Sequence, residues 1–248
     1  MDINLNENER IDDLEFKDLK IIQNKNGFCF GIDAVLLSDF AKDIRNNAKV
    51  LDLGTGTGIL GILLCGKTNL SKIYGIEVQS EVADMALRSV TLNNLNNKFE
   101  IINDNVKNLS NHFENGSFDA IVSNPPYKKN DSGLKNEDER KLISRHEITA
   151  SLEDFISISS KMLKNNGSLY MVHRPERLSD LFTLLNKYNL EPKVLRTVHS
   201  YYNSKPKLIL VKATKGAKSF LNIEKPLIIY NTDGTYTDEI YKIYNKEK

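Results

Sequence analysis

The sequence predicts a doubly wound α/β fold, a parallel-rich sheet with helices on both faces, and three observations carry that reading. Short apolar runs at 49–53 (KVLDL), 72–78 (KIYGIEV), 99–104 (FEIIND), 118–124 (FDAIVSN) and 167–173 (GSLYMVH) have the length of buried strands. Segments of helical spacing lie between them, and that alternation implies parallel pairing through right-handed crossovers. The last two strands, 191–200 (EPKVLRTVHS) and 207–213 (KLILVKA), are joined by residues too few for a crossover helix, so they must pair antiparallel. A seven-stranded sheet ending in an antiparallel hairpin follows.

The elements can be justified in order. Residues 18–23 (DLKIIQ) and 28–30 (FCF), separated by the glycine-containing loop 24–27, read as a hairpin. Residues 32–41 (IDAVLLSDFA) have helical apolar spacing. Together they make 1–45 a small N-terminal hairpin/helix extension packing on a catalytic domain, 46–248. Helices are expected over 58–67 (GILGILLCGK) and 80–95 (SEVADMALRSVTLNNL). Another spans 151–167, capped by Ser151 with Asp154 three residues on and closed by Gly167. The helix over 175–188 starts on Pro175, a first-turn position. Residues 128–148 are polar, charged and too long for a routine connection; they read as a mobile functional loop or as disorder, and leaving directly from 123–127 favours the loop.

Composition bounds the function. Of 248 residues, 40% are hydrophobic and 27% charged, as in an ordinary water-soluble protein, and no apolar stretch is long enough to cross a bilayer. The acidic, polar N-terminus is unlike a secretory signal, and two cysteines, Cys29 and Cys65, suggest no disulfide framework. A cytoplasmic location is expected. The four histidines lack metal-ligand spacing, so a metal-free enzyme is expected. The net charge of +1 is unevenly spread: residues 1–20 hold seven acids and three bases, whereas 161–225 hold thirteen bases and four acids. Such a basic flank suits a polyanion such as RNA.

Residues 50–61 (VLDLGTGTGILG) follow a strand and open a helix, the context a nucleotide-cofactor turn requires. Glycines let the backbone turn tightly and approach a ligand. Because 56–61 also fits the dinucleotide pattern, the glycines alone leave NAD open. Asp52 discriminates. A carboxylate beside a pyrophosphate is repelled, whereas it suits a ligand bearing an ammonium and a sulfonium, as in S-adenosyl-L-methionine. Asp52, Gly54, Gly56 and Gly58 are therefore candidate cofactor residues. Glu77, ending the second strand, can accept hydrogen bonds from both ribose hydroxyls. Asp104 and Asn105 end the third strand, where a side chain can meet an adenine ring; helix capping is the competing use of Asp104. Phe30 and Gly31 are placed to close the pocket from the other side.

Residues 123–129 (SNPPYKK) stop the fourth strand on two prolines. Strands one and four of such a sheet open onto one crevice. The Asn124 side-chain carbonyl and the Pro125 backbone carbonyl can each accept an N–H from a flat, conjugated amine. As that nitrogen gains positive charge under alkylation, both bonds strengthen, which favours the transition state. Tyr127 offers a face for the substrate plane.

With those residues in view, the chain resembles the class I AdoMet-dependent methyltransferases, a Rossmann-like family. Asp52–Gly58 matches their first motif, Glu77 their ribose acid, Asp104 their adenine-side acid, and Asn124-Pro125-Pro126-Tyr127 their amino-methylating motif. Residues 28–41 (FCFGIDAVLLSDFA), 145–147 (RHE), 173–178 (HRPERL) and 225–240 (KPLIIYNTDGTYTDEI) are further similar to bacterial tRNA(Val) adenosine N6-methyltransferases. Cys29 stands where that pattern often has arginine. The resemblance implies a tRNA anticodon loop as substrate and a catalytic set of Asn124, Pro125 and Tyr127. Lys128, Lys129, Arg145, His146, Arg174 and Arg177 become RNA-binding candidates. A monomer is favoured. Methylation of a release-factor glutamine, an rRNA guanine amine or a DNA adenine stays as an alternative. An NAD-dependent oxidoreductase leaves SNPPY without a role, and a non-catalytic RNA-binding module explains only the bases.

Overall fold

The computed structural model describes residues 4–26, 31–126 and 150–246. Its centre is β3 (Lys49–Leu53), flanked by β4 (Lys72–Glu77) and β6 (Phe118–Ser123), with β5 (Phe99–Asn103) beyond β4. On the other side β6 pairs with β7 (Leu163–His173), then come β9 (Pro206–Lys215) and β8 (Leu190–His199). All neighbours are parallel except β9, which runs antiparallel to both β7 and β8. The seven expected strands and the terminal hairpin are all present. Two two-residue strands, β10 (Asn222–Ile223) and β11 (Leu227–Ile228), add in parallel to β8 and bring the sheet to nine. Pairings that short leave no periodicity in the sequence.

Alternation along each strand divides the core into two layers. Val50, Ile73, Ala120, Val122 and Val172 face α1 (Ile32–Phe40), α2 (Ile59–Lys67), Val90 of α3 (Ser80–Leu92) and a short C-terminal helix (Asp238–Ile243). Leu51, Leu53, Ile121, Leu169 and Met171 face α4 (Leu152–Met162) and α5 (Leu178–Lys187). Six consecutive residues of α2, Ile59 to Leu64, are buried, so this helix is enclosed on all sides. Gly61 permits its close approach to the sheet: a Cβ there would lie 2.3 Å from the Phe99 ring.

Two expectations are corrected. Residues 20–24 do form a strand, β2, but its partner is β1 (Glu9–Asp13), antiparallel. The expected partner, 28–30, lies outside the described residues. The charged run ERIDD gives no strand signal because its fixing contact is distant: Glu9 receives two Arg88 hydrogen bonds from α3, each 2.6 Å. That guanidinium pulls the Glu9 carboxyl down to about 2. Second, α4 ends at Met162 rather than Gly167, and β7 begins at once. Between the Phe118–Leu163 and Ala120–Ser168 pairings the register shifts, and residues 164–167 take up the bulge. Asn166 there has φ +62°, and Lys164 reaches back to Asp119 at 2.7 Å. A run of polar residues that reads as a helix end is therefore a kinked strand entry.

Candidate active site

The glycine turn between β3 and α2 is built on backbone that side chains resist. Gly54, Gly56 and Gly58 have φ of +71°, +58° and +91°, in the left-handed region. The N–H groups of Gly54 and Thr55 both donate to the Ile76 carbonyl, at 3.1 and 3.0 Å. Glu77 joins this turn to the next one, accepting from Gly56 N–H at 3.1 Å and Gln79 N–H at 2.9 Å. Its carboxylate is buried. A Cβ added to Gly56 would meet nothing within 4 Å, so the backbone there faces open space, a cradle beside the Glu77 carboxylate. An adenosyl group, whose two ribose hydroxyls would donate to that carboxylate, fits the space.

Asp52 takes a different part from the one expected. It is only 1% exposed, and its carboxyl is engaged by the turn itself. It accepts from the Thr55 hydroxyl at 2.6 Å, clamping the turn from below. Burial pushes its carboxyl up to about 7, with the Glu77 charge adding to the effect. Asp104 and Asn105 are likewise used by the fold. The Asp104 carboxylate accepts from Asn105 N–H and the Asn108 amide, both at 2.7 Å, and pairs with His112 at 2.7 Å. His112 first, then Asn108, holds that carboxyl below its usual range. The Asn105 side chain caps the short helix 106–111 through Lys107 N–H at 3.0 Å. Capping is their visible role, although the Asp104 side chain stays partly exposed at the crevice edge.

On the other side of the crevice, the Leu53–Ser123 pairing aligns the ends of β3 and β6. Ser123, fully buried, donates its hydroxyl to the Leu53 carbonyl at 2.9 Å. Gly54 and Asn124 are therefore the first residues past two neighbouring strand ends, which stand roughly 5 Å apart. Asn124 is half-buried and Pro125 buried. Phe155 of α4 packs over Gly54, its ring 3.5 Å from where a Cβ would stand. The sequence reading missed Ser123, Thr55 and Phe155; a serine before the turn and a helical phenylalanine carry no signal of their own.

Phe30, Tyr127, Lys128, Lys129, Arg145 and His146 lie outside the described residues, as does the expected loop 128–148. Gly31 begins α1 as its N-cap. Arg174 is exposed at the end of β7, its guanidinium 3.4 Å from the Lys207 carbonyl, and Arg177 pairs with Asp180 at 2.8 Å. His173, the last residue of β7, is buried; burial, then Arg177, pulls its imidazole down to about 4, so it is neutral. Arg174 N–H donates to its Nδ1 at 2.8 Å. Among the described residues, no group of three His, Cys, Asp or Glu is placed to hold a metal ion, and no helix is long and apolar enough to cross a membrane.

Comparison with known proteins agrees with this geometry. A tRNA1(Val) (adenine(37)-N6)-methyltransferase of Porphyromonas gingivalis is 29% identical over 239 residues, covering 94% of this chain and 93% of that protein. The fold resembles a predicted O-methyltransferase of Agrobacterium tumefaciens, with a TM-score of 0.69, 22% identity, and coverage of 86% and 95%. It also resembles M. jannaschii TYW2 solved in complex with AdoMet, with a TM-score of 0.57, 15% identity, and coverage of 86% and 88%. At those identities the structural likeness is one of fold. The family model described as methyltransferase small domain matches residues 18–189, well over half the chain. With a glycine turn and an Asn-Pro-Pro turn opening on one sheet edge, the chain belongs to the methyltransferase small domain family.

Proposed function

We propose that this chain transfers a methyl group from S-adenosyl-L-methionine to the N6 amine of an adenosine in the anticodon loop of a tRNA, at position 37 of tRNA1(Val). The observation that carries the reading is the Leu53–Ser123 register, which sets Asn124 beside the glycine turn. The names of the full-length relatives support the choice of nucleotide. In this reading residues 46–248 are the catalytic domain, 1–45 an extension that shares its core, and the protein is a cytoplasmic monomer needing no metal.

S-adenosyl-L-methionine supplies a methyl group activated by its sulfonium. Glu77 holds the ribose hydroxyls, Gly56 lets the backbone lie close to the ligand, and Asp52 keeps the turn in shape and adds negative charge beneath a cationic ligand. Asn124 Oδ1 and the Pro125 carbonyl accept the two amine protons of the substrate. Their hold tightens as positive charge develops on nitrogen, so they lower the barrier rather than merely bind. Two prolines fix the acceptor carbonyl in advance, which saves reorganisation. Tyr127 stacks on the base. The proton leaves after transfer, so no strong base is required.

The test is transfer of labelled methyl groups to bulk tRNA lacking the modification, followed by nucleoside analysis. N6-methyladenosine in one tRNA species is the expected product. Label in guanosine, or in a protein glutamine and not in tRNA, contradicts the reading.

A further inference from the structure

The sheet edge beyond the crevice carries a feature that methyl transfer leaves unused. The turn joining β8 to β9 is Tyr201-Tyr202-Asn203-Ser204, closed by the Ser204 N–H on the Tyr201 carbonyl at 2.9 Å. The Ser204 hydroxyl also donates to that carbonyl at 2.8 Å and accepts from Tyr201 N–H at 3.0 Å. His199 Nδ1 meets the Ser204 carbonyl at 2.6 Å. The tip is thus pinned, and it holds an aromatic ring in water. Tyr202 is 83% exposed and makes no ring contact, ion pair or side-chain hydrogen bond among the described residues.

Behind it runs a row of tyrosines. Tyr201, 46% exposed, lies 5.6 Å from Tyr230 at a tilt of 37°. Tyr230 stacks on Tyr236 at 5.4 Å, and Tyr236 on Tyr244 at 6.1 Å. Those three rings are half-buried and anchor the tip. Lys205 follows the turn and Lys207 stands at the start of β9, both exposed, and residues 200–215 include no acid. The contact from Arg174 to the Lys207 carbonyl ties this turn to the end of β7. Since β8 runs parallel to β7, β6 and β3, the tip stands on the same sheet edge as Asn124, with β7 and β9 between; Asn124 is level with Arg196, so Tyr202 also lies several residues further out, roughly 20 Å away in all.

We propose that this turn is a stacking platform for single-stranded RNA. Tyr202, backed by Tyr201, takes the face of an unpaired base a few nucleotides from the one in the crevice, while Lys205 and Lys207 hold phosphates. A rigid aromatic among cations suits an unpaired base, whose π-face stacks and whose backbone is anionic. The lysines count against a protein partner, because the core of a protein interface is depleted of charge. The inference rests on the RNA-methylation reading of the crevice.

The experiment measures binding of an RNA hairpin with an unpaired loop, and of a fully paired duplex, to the wild-type chain, Tyr202→Ala and Tyr202→Phe, with S-adenosylhomocysteine affinity followed in parallel. Tyr202→Ala should bind the loop about tenfold more weakly and Tyr202→Phe like wild type. Duplex and S-adenosylhomocysteine affinities should stay level throughout. Wild-type loop binding by Tyr202→Ala, or an equal loss on the duplex, overturns the platform. Loop RNA bound through Tyr202 that receives no methyl group supports the platform and counts against the reading of the crevice instead.

Discussion

The two sides of the crevice are built by opposite means. On the glycine-turn side, Asp52 and Glu77 are buried and spend their oxygens on backbone N–H groups and a neighbouring hydroxyl. Beyond β6 and β7, Arg174, Lys205, Lys207 and Tyr202 stand in solvent on pinned backbone. A small ligand of constant shape rewards a finished pocket whose dipoles need no reorganisation. A large polyanion rewards reach and long-range charge, which buried groups cannot give. Substitutions on the first side should therefore register in stability and cofactor affinity, and on the second in RNA affinity alone.

The largest expected effect is at Asp52. Unfolded, its carboxyl loses the proton near 3.8; folded, it does so near 7. Between those values the folded state binds the extra proton, so this group makes stability fall as pH rises across the window and level off above it. The full difference is on the order of 4 kcal/mol. Denaturant unfolding of wild type and Asp52→Asn from pH 4 to 8 should show that slope in wild type and its loss in the variant. Parallel curves would mean that Asp52 is ionised in the fold, and the contrast between the two sides would weaken. A cationic ligand favours the ionised carboxylate, so cofactor binding near pH 7 should release a proton.

The smallest effect is expected at Arg174. Replacing its exposed side chain by alanine should raise KM for tRNA about threefold to tenfold, with less loss at high salt and unchanged thermal stability. A fall in Tm with unchanged KM would make its contact with the Lys207 carbonyl a structural tie and not part of an RNA surface.

Much of this arrangement was legible from residue order. Strand-and-helix alternation is a local signal, and the shared sheet edge of β3 and β6 follows from the doubly wound order. The N-terminal pairing was not legible because β1 is a charged strand held through Glu9 and Arg88, 79 residues apart. The end of α4 was missed because Lys164–Gly167 look like a capped helix end, whereas the backbone pairing of Leu163 with Phe118 takes precedence. In the candidate site, type and spacing singled out the glycines and Asn124, which the fold brings to one sheet edge. They could not tell a polar side chain that meets a ligand from one that holds a loop: Asp52 and Asp104 match motif positions and Asn105 ends a strand, and all three are engaged in holding the fold. That distinction lies in burial and in which N–H groups each side chain faces.

The central claim is that Asn124 acts on the reacting amine across a cradle it does not itself build. Single-turnover methyl transfer by Asn124→Ala, with S-adenosylhomocysteine affinity measured by calorimetry on the same preparation, addresses it most directly. A transfer rate about 100-fold lower with cofactor affinity essentially unchanged is the predicted result. Equal losses in both, or a rate close to wild type, would contradict it.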